Sequence, residues 1–229
     1  MSADVLAFRD VSVRYPGAER PAIAGVSFEI GSCERVALLG LNGAGKTTVF
    51  QAVVGLIPSQ GMITVGGVTL DRSSMRAIRD KVGFLFNVPE DQLLFPDVLE
   101  DVAFGLTSRG VPRPEARERA RQMLARLGAR ELAGQSVHKL SHGQKLRVAL
   151  AGALVGDPEL LLLDEPASGL DPPGKRGLCK LLQEIPAAAL VATHDLEFAR
   201  KTCGRYLLLN EGRLEDQGQD FSRVEAGWQ

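Results

Sequence analysis

Residues 40–47 read G-L-N-G-A-G-K-T, and their spacing is that of a loop built to hold phosphate. Gly40, Gly43 and Gly45 can bring backbone N–H groups against phosphate oxygens with no Cβ in the way. Lys46 supplies a point charge for the β- and γ-phosphates, and the hydroxyl of Thr47 can ligate Mg²⁺. A second chemical pair, Asp164 and Glu165, ends the run L-L-L-L-D-E-P. Beside a phosphate loop, Asp164 suits a carboxylate near Mg²⁺ and Glu165 a group that polarises the attacking water of an ATP site. Without such a loop the same pair would read as a helix N-cap. A third element, L-S-H-G-Q-K, covers residues 140–145. Ser141 stands where an N-cap belongs, and a helix start with serine and glycine is also an anion site. Two phosphate-binding elements so far apart in one chain suggest ATP shared between two copies.

These groups need rigid elements to hold them. The apolar run Val36 to Leu39 breaks at Gly40 and helix-forming sequence resumes at Lys46, which predicts strand, loop, helix, with the helix stopping near Gly55 and Pro58. Leu160 to Leu163 and Ala187 to Ala192 are continuous apolar runs ending in Asp164-Glu165 and Thr193-His194. Continuous runs indicate strands covered on both faces, as in a parallel α/β sheet, whose strand ends are where ligands bind. Val82 to Phe86 predicts a further buried strand. The N-terminal part alternates as V-L-A-F, V-S-V-R-Y and V-S-F-E-I, with turn residues Pro16, Gly17 and Gly31 between, so a β-rich lobe opens the chain. M-I-T-V and V-T-L flank Gly66-Gly67 as a hairpin.

From about residue 91 to 156 helical periodicity takes over. Ala116, Ala120, Leu124 and Leu127 share one stripe with Gly128 as a stop, and this stretch predicts an inserted helical subdomain. Arg113, Arg117, Arg119, Arg121 and Arg126 read either as a patch for an acidic partner or as a solvated face paired with Glu115 and Glu118. Leu146, Leu150, Ala153 and Leu154 form the apolar stripe of the helix that Ser141 begins. Tyr206 to Leu209 with Glu211-Gly212 predicts a last hairpin, and the stretch from Leu214 to Gln229 is too polar to be assigned further.

With 229 residues and 45% hydrophobic content, residues 1–229 are expected to form one domain with a packed interior. A net charge of −1 gives no reason to expect nucleic acid as a partner. No run approaches about 18 apolar residues, and the first ten residues carry Asp4 and Arg9, so neither a membrane span nor a signal peptide is expected. Cys33, Cys179 and Cys203 lack metal or redox spacing and are expected to be packing residues in a reducing cytosol.

Taken together, the motifs resemble those of the nucleotide-binding subunits of ABC transporters over nearly the full length. The matching pieces stand in family order: Walker A at Gly40 to Thr47, the signature at Leu140 to Gln144, Walker B at Leu160 to Glu165, the D-loop at Ser168 to Asp171, and a switch histidine, His194. The resemblance implies an α/β fold, a P-loop NTPase (ABC ATPase) core with a β-rich N-terminal lobe and an inserted helical subdomain. It also implies ATP and Mg²⁺ as cofactors and a head-to-tail dimer with a second ATPase subunit, identical or not. Each ATP would lie between one chain's Walker A residues, here Gly40, Asn42, Gly43, Ala44, Gly45, Lys46, Thr47 and Thr48, and the other chain's Ser141, Gly143 and Gln144. Mg²⁺ would fall to Thr47 and Asp164. Glu165 would be the general base, His194 would contact the γ-phosphate, and Tyr15 would stack on adenine. Tyr15 also lies in Y-P-G, where a surface turn aromatic is equally natural. No catalytic role is implied for His138 or His142.

Two positions depart from the family pattern. His142 replaces the commonest glycine of the signature, and Asn87 stands where the loop after the strand usually carries a catalytic glutamine. Asparagine keeps the amide but is one methylene shorter. Residues 87–105, N-V-P-E-D-Q-L-L-F-P-D-V-L-E-D-V-A-F-G, resemble energy-coupling factor ATPases, which power uptake of cobalt, nickel and vitamins. In that group the region around Asp91 and Gln92 faces coupling helices of a membrane partner. The implied partners are an integral-membrane scaffold (T-type) and a substrate-binding subunit, and the implied location is the cytoplasmic face of the cell membrane. The absence of an extended C-terminal region favours, under the resemblance, a compact cobalt-, nickel- or biotin-type subunit. An exporter ATPase would share all five motifs; a non-transport ABC ATPase would add a coiled-coil insertion or a second nucleotide domain; a soluble P-loop kinase or GTPase would not need the Ser141 segment.

Overall fold

The computed structural model describes residues 4–225. In chain order the elements are β1 (Asp4–Val13), β2 (Ile23–Gly31), β3 (Arg35–Leu39), α1 (Lys46–Val53), β4 (Gln60–Val65), β5 (Val68–Thr69), α2 (Met75–Lys81) and β6 (Val82–Leu85). Then come α3 (Pro89–Gln92), α4 (Val98–Thr107), α5 (Arg113–Arg126), α6 (His142–Leu154), β7 (Leu160–Asp164), α7 (Pro172–Glu184), β8 (Ala188–Thr193), α8 (Leu196–Thr202), β9 (Arg205–Asn210), β10 (Arg213–Gly218) and α9 (Ser222–Glu225).

Two sheets carry the fold. One is antiparallel, β2-β1-β4-β5; the other runs β10-β9-β3-β8-β7-β6, parallel from β9 to β6, with β10 as an antiparallel edge. The continuous apolar runs become the central strands β7 and β8, buried at every position. Their side chains alternate between two cores. Val36, Leu38, Leu160, Leu162 and Leu190 join the core against the antiparallel sheet and α1. Ala37, Leu39, Leu161, Leu163 and Val191 join the one built with α4 to α8. A sheet packed on both faces leaves little freedom at its strand ends, and these carry the chemistry.

Alternation near the N-terminus predicts two strands where the structure has one. Asp10 takes φ 51° and the β1–β2 register shifts between Phe8 and Val11, so a bulge interrupts the period of a continuous strand. The Gly66-Gly67 hairpin forms as expected, with both glycines at positive φ. In the helical stretch, the α5 stripe Ala116, Ala120 and Leu124 is fully buried. Four arginines of the run form a paired face: Arg113 and Arg117 hold Glu100 at 3.0 and 2.8 Å, Arg119 holds Glu115 at 2.6 Å and Arg121 holds Glu118 at 3.3 Å. One expectation needs correction. Cys33 is exposed in the β2–β3 turn at φ 59°, while Cys179 and Cys203 are buried. The last hairpin forms as antiparallel β9 and β10, and the stretch left unassigned continues β10 to Gly218 and adds α9.

Candidate active site

Strand β3 delivers the glycine-rich loop to one end of the parallel sheet, and α1 leaves from it. The loop is clamped from behind. Gly45 takes φ 106°, and a Cβ there would stand 2.7 Å from the Ala22 carbonyl oxygen. Gly212, in the β9–β10 turn, approaches the same carbonyl and donates its N–H to the Ala44 oxygen at 3.0 Å. Lys46 is buried, and its ammonium donates to the carbonyl oxygens of Gly40 at 2.7 Å and Leu41 at 3.3 Å. Burial pulls its pKa below the ordinary lysine range, opposed by the charges of Glu165 and then Asp164.

Strands β7 and β8 bring the carboxylates and the histidine. Asp164 is 9% exposed and its Oδ2 accepts from the Thr47 hydroxyl at 3.3 Å. Burial raises its pKa, an effect reduced by the Thr47 hydrogen bond, reinforced by Glu165 and reduced by Lys46. Glu165 follows at φ 47°, so the chain turns sharply and the side chain comes back over the sheet end. Its Oε2 accepts from the Thr193 hydroxyl at 3.1 Å and from the His194 N–H at 3.4 Å. Its Oε1 lies 2.9 Å from His194 Nδ1 and 4.0 Å from Lys46 Nζ. An ionised carboxylate only accepts, so Nδ1 is the donor.

Lys46, Thr47, Asp164, Glu165 and His194 are therefore brought together. Asn42 and Gly43 are exposed on the same loop, and Ala44 and Thr48 are buried beneath it. Tyr15 reaches this end of α1: its hydroxyl lies 3.2 Å from Thr48 Oγ1 and donates to Gln51 Oε1 at 2.8 Å, with the side chain partly exposed. Asn87 is exposed just past β6, and the pairing of Leu85 with Leu163 puts it at the same edge as Glu165. Ser141, Gly143 and Gln144 stand apart. They line an open cleft of about 690 Å³ against α7, with Leu150, Leu170 and Leu178, and no residue from 40 to 48 shares it. Ser141 and Gln144 form a reciprocal capping box.

The Thr47 hydroxyl and the buried Asp164 carboxylate are hard oxygen donors 3.3 Å apart, a set that fits Mg²⁺. Among the described residues no group of three or more His, Cys, Asp or Glu side chains is placed to hold a metal ion.

Sequence reasoning missed three supporting residues. Gln92 is turned inward: its amide nitrogen donates to the carbonyls of Phe84 and Ala149 at 3.0 and 3.1 Å, and its oxygen accepts from the Phe86 N–H at 3.0 Å. Around it, Val88, Leu94 and Phe95 are the exposed large apolar groups. Asp101 fixes those neighbours by accepting from the Leu94 and Phe95 N–H groups at 2.7 and 2.9 Å. Gly212 was legible only as a turn residue, and its contact with the loop has no signal in sequence.

A glycine loop and buried lysine on one parallel strand, with an acidic pair on another and β8 between them, define a P-loop ATPase. The ABC transporter family model matches residues 23–168, and the chain belongs to that family, whose members hydrolyse ATP. It is 39% identical over 236 residues to the energy-coupling factor transporter ATP-binding protein EcfA1 of Lactobacillus delbrueckii subsp. bulgaricus, covering 98% of this chain and 83% of that protein. Among solved structures it resembles cbiO1 of Clostridium perfringens, described as part of the ABC transporter complex cbiONQ. That match has a TM-score of 0.87 and 35% identity, covering 97% of this chain and 91% of that one. The ATP-binding cassette MJ0796, in a dimeric post-hydrolysis state with ADP and Pi, matches at TM-score 0.82 and 28% identity over 93% of this chain and 98% of that one.

Proposed function

We propose that this chain is the ATP-hydrolysing subunit of an energy-coupling factor importer, driving uptake of a transition metal (cobalt or nickel) or a vitamin such as biotin. The carrying observation is the surface beside the site. Phe86, Val88, Leu94, Phe95 and Phe104 are large apolar side chains left exposed within residues 86–104, on a segment that Gln92 and Asp101 hold in shape. A fixed apolar patch of this kind marks a protein interface, and it coincides with the stretch that resembles the partner-facing segment of energy-coupling factor ATPases. The relatives EcfA1 and cbiO1 support the same reading. The chain acts from the cytoplasmic face, peripheral to a T-type scaffold and a substrate-binding subunit; no helix among the described residues is long and apolar enough to cross a membrane.

On this reading the chain is one ATPase domain whose helical insert, about residues 91–156, carries motion to the membrane partners. The amides of Gly40 to Gly45 and Lys46 hold the phosphates of ATP, with Asn42, Ala44 and Thr48 completing the cradle, and Tyr15 stacks on the base. Thr47 and Asp164 would hold Mg²⁺, which would supply charge neutralisation at the phosphates. Glu165 takes the proton of the attacking water, oriented by Thr193 and His194; His194 also contacts the γ-phosphate. Asn87 presents its amide from the β6 edge, and Ser141, Gly143 and Gln144 of a second copy or a related subunit close over the nucleotide.

The test is affinity purification of the tagged chain from its native membranes in mild detergent, with mass spectrometry of companions and metal analysis. A small multi-spanning scaffold and a substrate-binding membrane protein are expected, and the latter names the substrate. Companions with exporter-type fused membrane domains, or only soluble ones, would overturn the importer reading and leave the ATPase chemistry intact.

A further inference from the structure

The segment that departs from the family pattern makes a contact that the ATPase reading does not use. His142, the first residue of α6, lies with its Nε2 3.2 Å from the Ser168 carbonyl oxygen. A carbonyl only accepts, so Nε2 carries the proton. Ser168 in turn donates its own N–H to the Glu165 carbonyl at 3.0 Å, closing the turn in which Glu165 sits at φ 47°. Gly169 accommodates the ring: it takes φ 71°, and a Cβ there would lie 3.1 Å from Nε2. On its other side, Nδ1 is 3.8 Å from Glu90 Oε1 of α3, a carboxylate that Lys145 holds at 3.0 Å. One imidazole thus touches the base-bearing turn and the patch-bearing segment from the residue next to Ser141.

We propose that His142 is a positioning residue: it ties the start of α6, which carries Ser141, to the turn that presents Glu165, so that occupation of one ATP site sets the base of the other. The link runs within a single chain. Ser141 serves the nucleotide held by the second copy, whereas Glu165 serves the chain's own, so the imidazole couples two sites that share no residue. This rests on the two-copy reading of Ser141 and is independent of which substrate is imported. Glycine at position 142 would have no donor for the Ser168 carbonyl.

Steady-state ATPase kinetics of His142→Ala and His142→Gln test this on the full chain, with ATP-dependent dimerisation measured in parallel by light scattering. For His142→Ala, kcat is expected to fall about tenfold with KM for ATP within about twofold, the pattern of an interaction realised after binding. The Hill coefficient for ATP should fall towards about 1. His142→Gln should recover most of kcat and cooperativity, since its amide N–H can reach the Ser168 carbonyl. A His142→Ala variant with wild-type kcat and Hill coefficient would overturn the proposal, as would His142→Gln being no faster than His142→Ala. Absence of an ATP-dependent wild-type dimer would overturn the two-copy reading together with this proposal; a normal dimer with an inert His142 would overturn the proposal alone.

Discussion

The helices that begin at Lys46 and His142 both read as phosphate sites, yet their first turns are finished in opposite ways. Gly45 caps α1 in the left-handed conformation and no side chain accepts from the first N–H groups, so those donors are uncommitted by the protein and face the loop. At α6 the Ser141 hydroxyl accepts from the Gln144 N–H at 3.4 Å, while the Gln144 side chain accepts from the Ser141 N–H at 2.9 Å. The first site is also surrounded by buried charge, whereas Ser141 is exposed. One half-site is built in advance by a two-sided sheet; the other satisfies its own donors through a long bond that an incoming phosphate can replace. On the proposed two-copy reading, such a division would put nucleotide capture on the α1 side and commitment to hydrolysis on the α6 side.

The largest expected effect breaks the α1 half without touching capture. Glu165→Gln keeps acceptors for Thr193 and the His194 N–H but removes the base, and a general base is worth about 10³-fold. Turnover should fall by that order while ATP affinity stays within about twofold, and an ATP-bound dimer should accumulate on size-exclusion chromatography. Retained hydrolysis would move the base elsewhere. A smaller effect isolates the α6 half. Aspartate caps helices as well as serine but repels phosphate. Ser141→Asp should therefore keep the melting temperature and single-chain ATP affinity while lowering kcat about a hundredfold, equivalent to about 3 kcal/mol of lost transition-state binding. Wild-type turnover in Ser141→Asp would reduce Ser141 to a helix cap.

The same contrast explains what was legible beforehand. The α1 half is written locally: an apolar run, glycines at fixed spacing and acidic residues after a second apolar run all follow from short-range constraints, and each appears where expected. Asp164 and Glu165 meet Lys46 because β7 and β3 both flank β8, an order that the runs themselves do not specify. What stayed hidden depends on contacts between distant segments. Nothing in P-E-D-Q shows that Gln92 spends its amide on Phe84 and Ala149, nor that His142 reaches Ser168. The extent of β10 was unreadable for a different reason: the turn at Glu211-Gly212 announces a hairpin, but the returning strand is a solvated edge whose residues R-L-E-D-Q-G carry almost no apolar signal, and its length comes from pairing with β9.

The smallest effect concerns the cost of building the α1 half in advance. Burial raises the pKa of Asp164, so the folded chain binds that proton more tightly than the unfolded chain does. By linkage, stability from this group is greatest at low pH and is lost as pH rises through the carboxylate range to the raised value; at neutral pH the ionised side chain is a net cost. Asp164→Asn keeps an acceptor for the Thr47 hydroxyl and removes the buried charge, while Lys46 retains Glu165 at 4.0 Å. Without nucleotide or Mg²⁺ at pH 7, its melting temperature should rise by about 2–4 °C, corresponding to about 1 kcal/mol. The gain should shrink as pH falls, because the native carboxyl takes up its proton at a higher pH than the unfolded one does, and ATP hydrolysis should be lost. A melting temperature equal to or below wild type at pH 7 would show that the attraction between Asp164 and Lys46 outweighs the desolvation of the carboxylate. The α1 half would then be stabilised by its charges rather than strained by them.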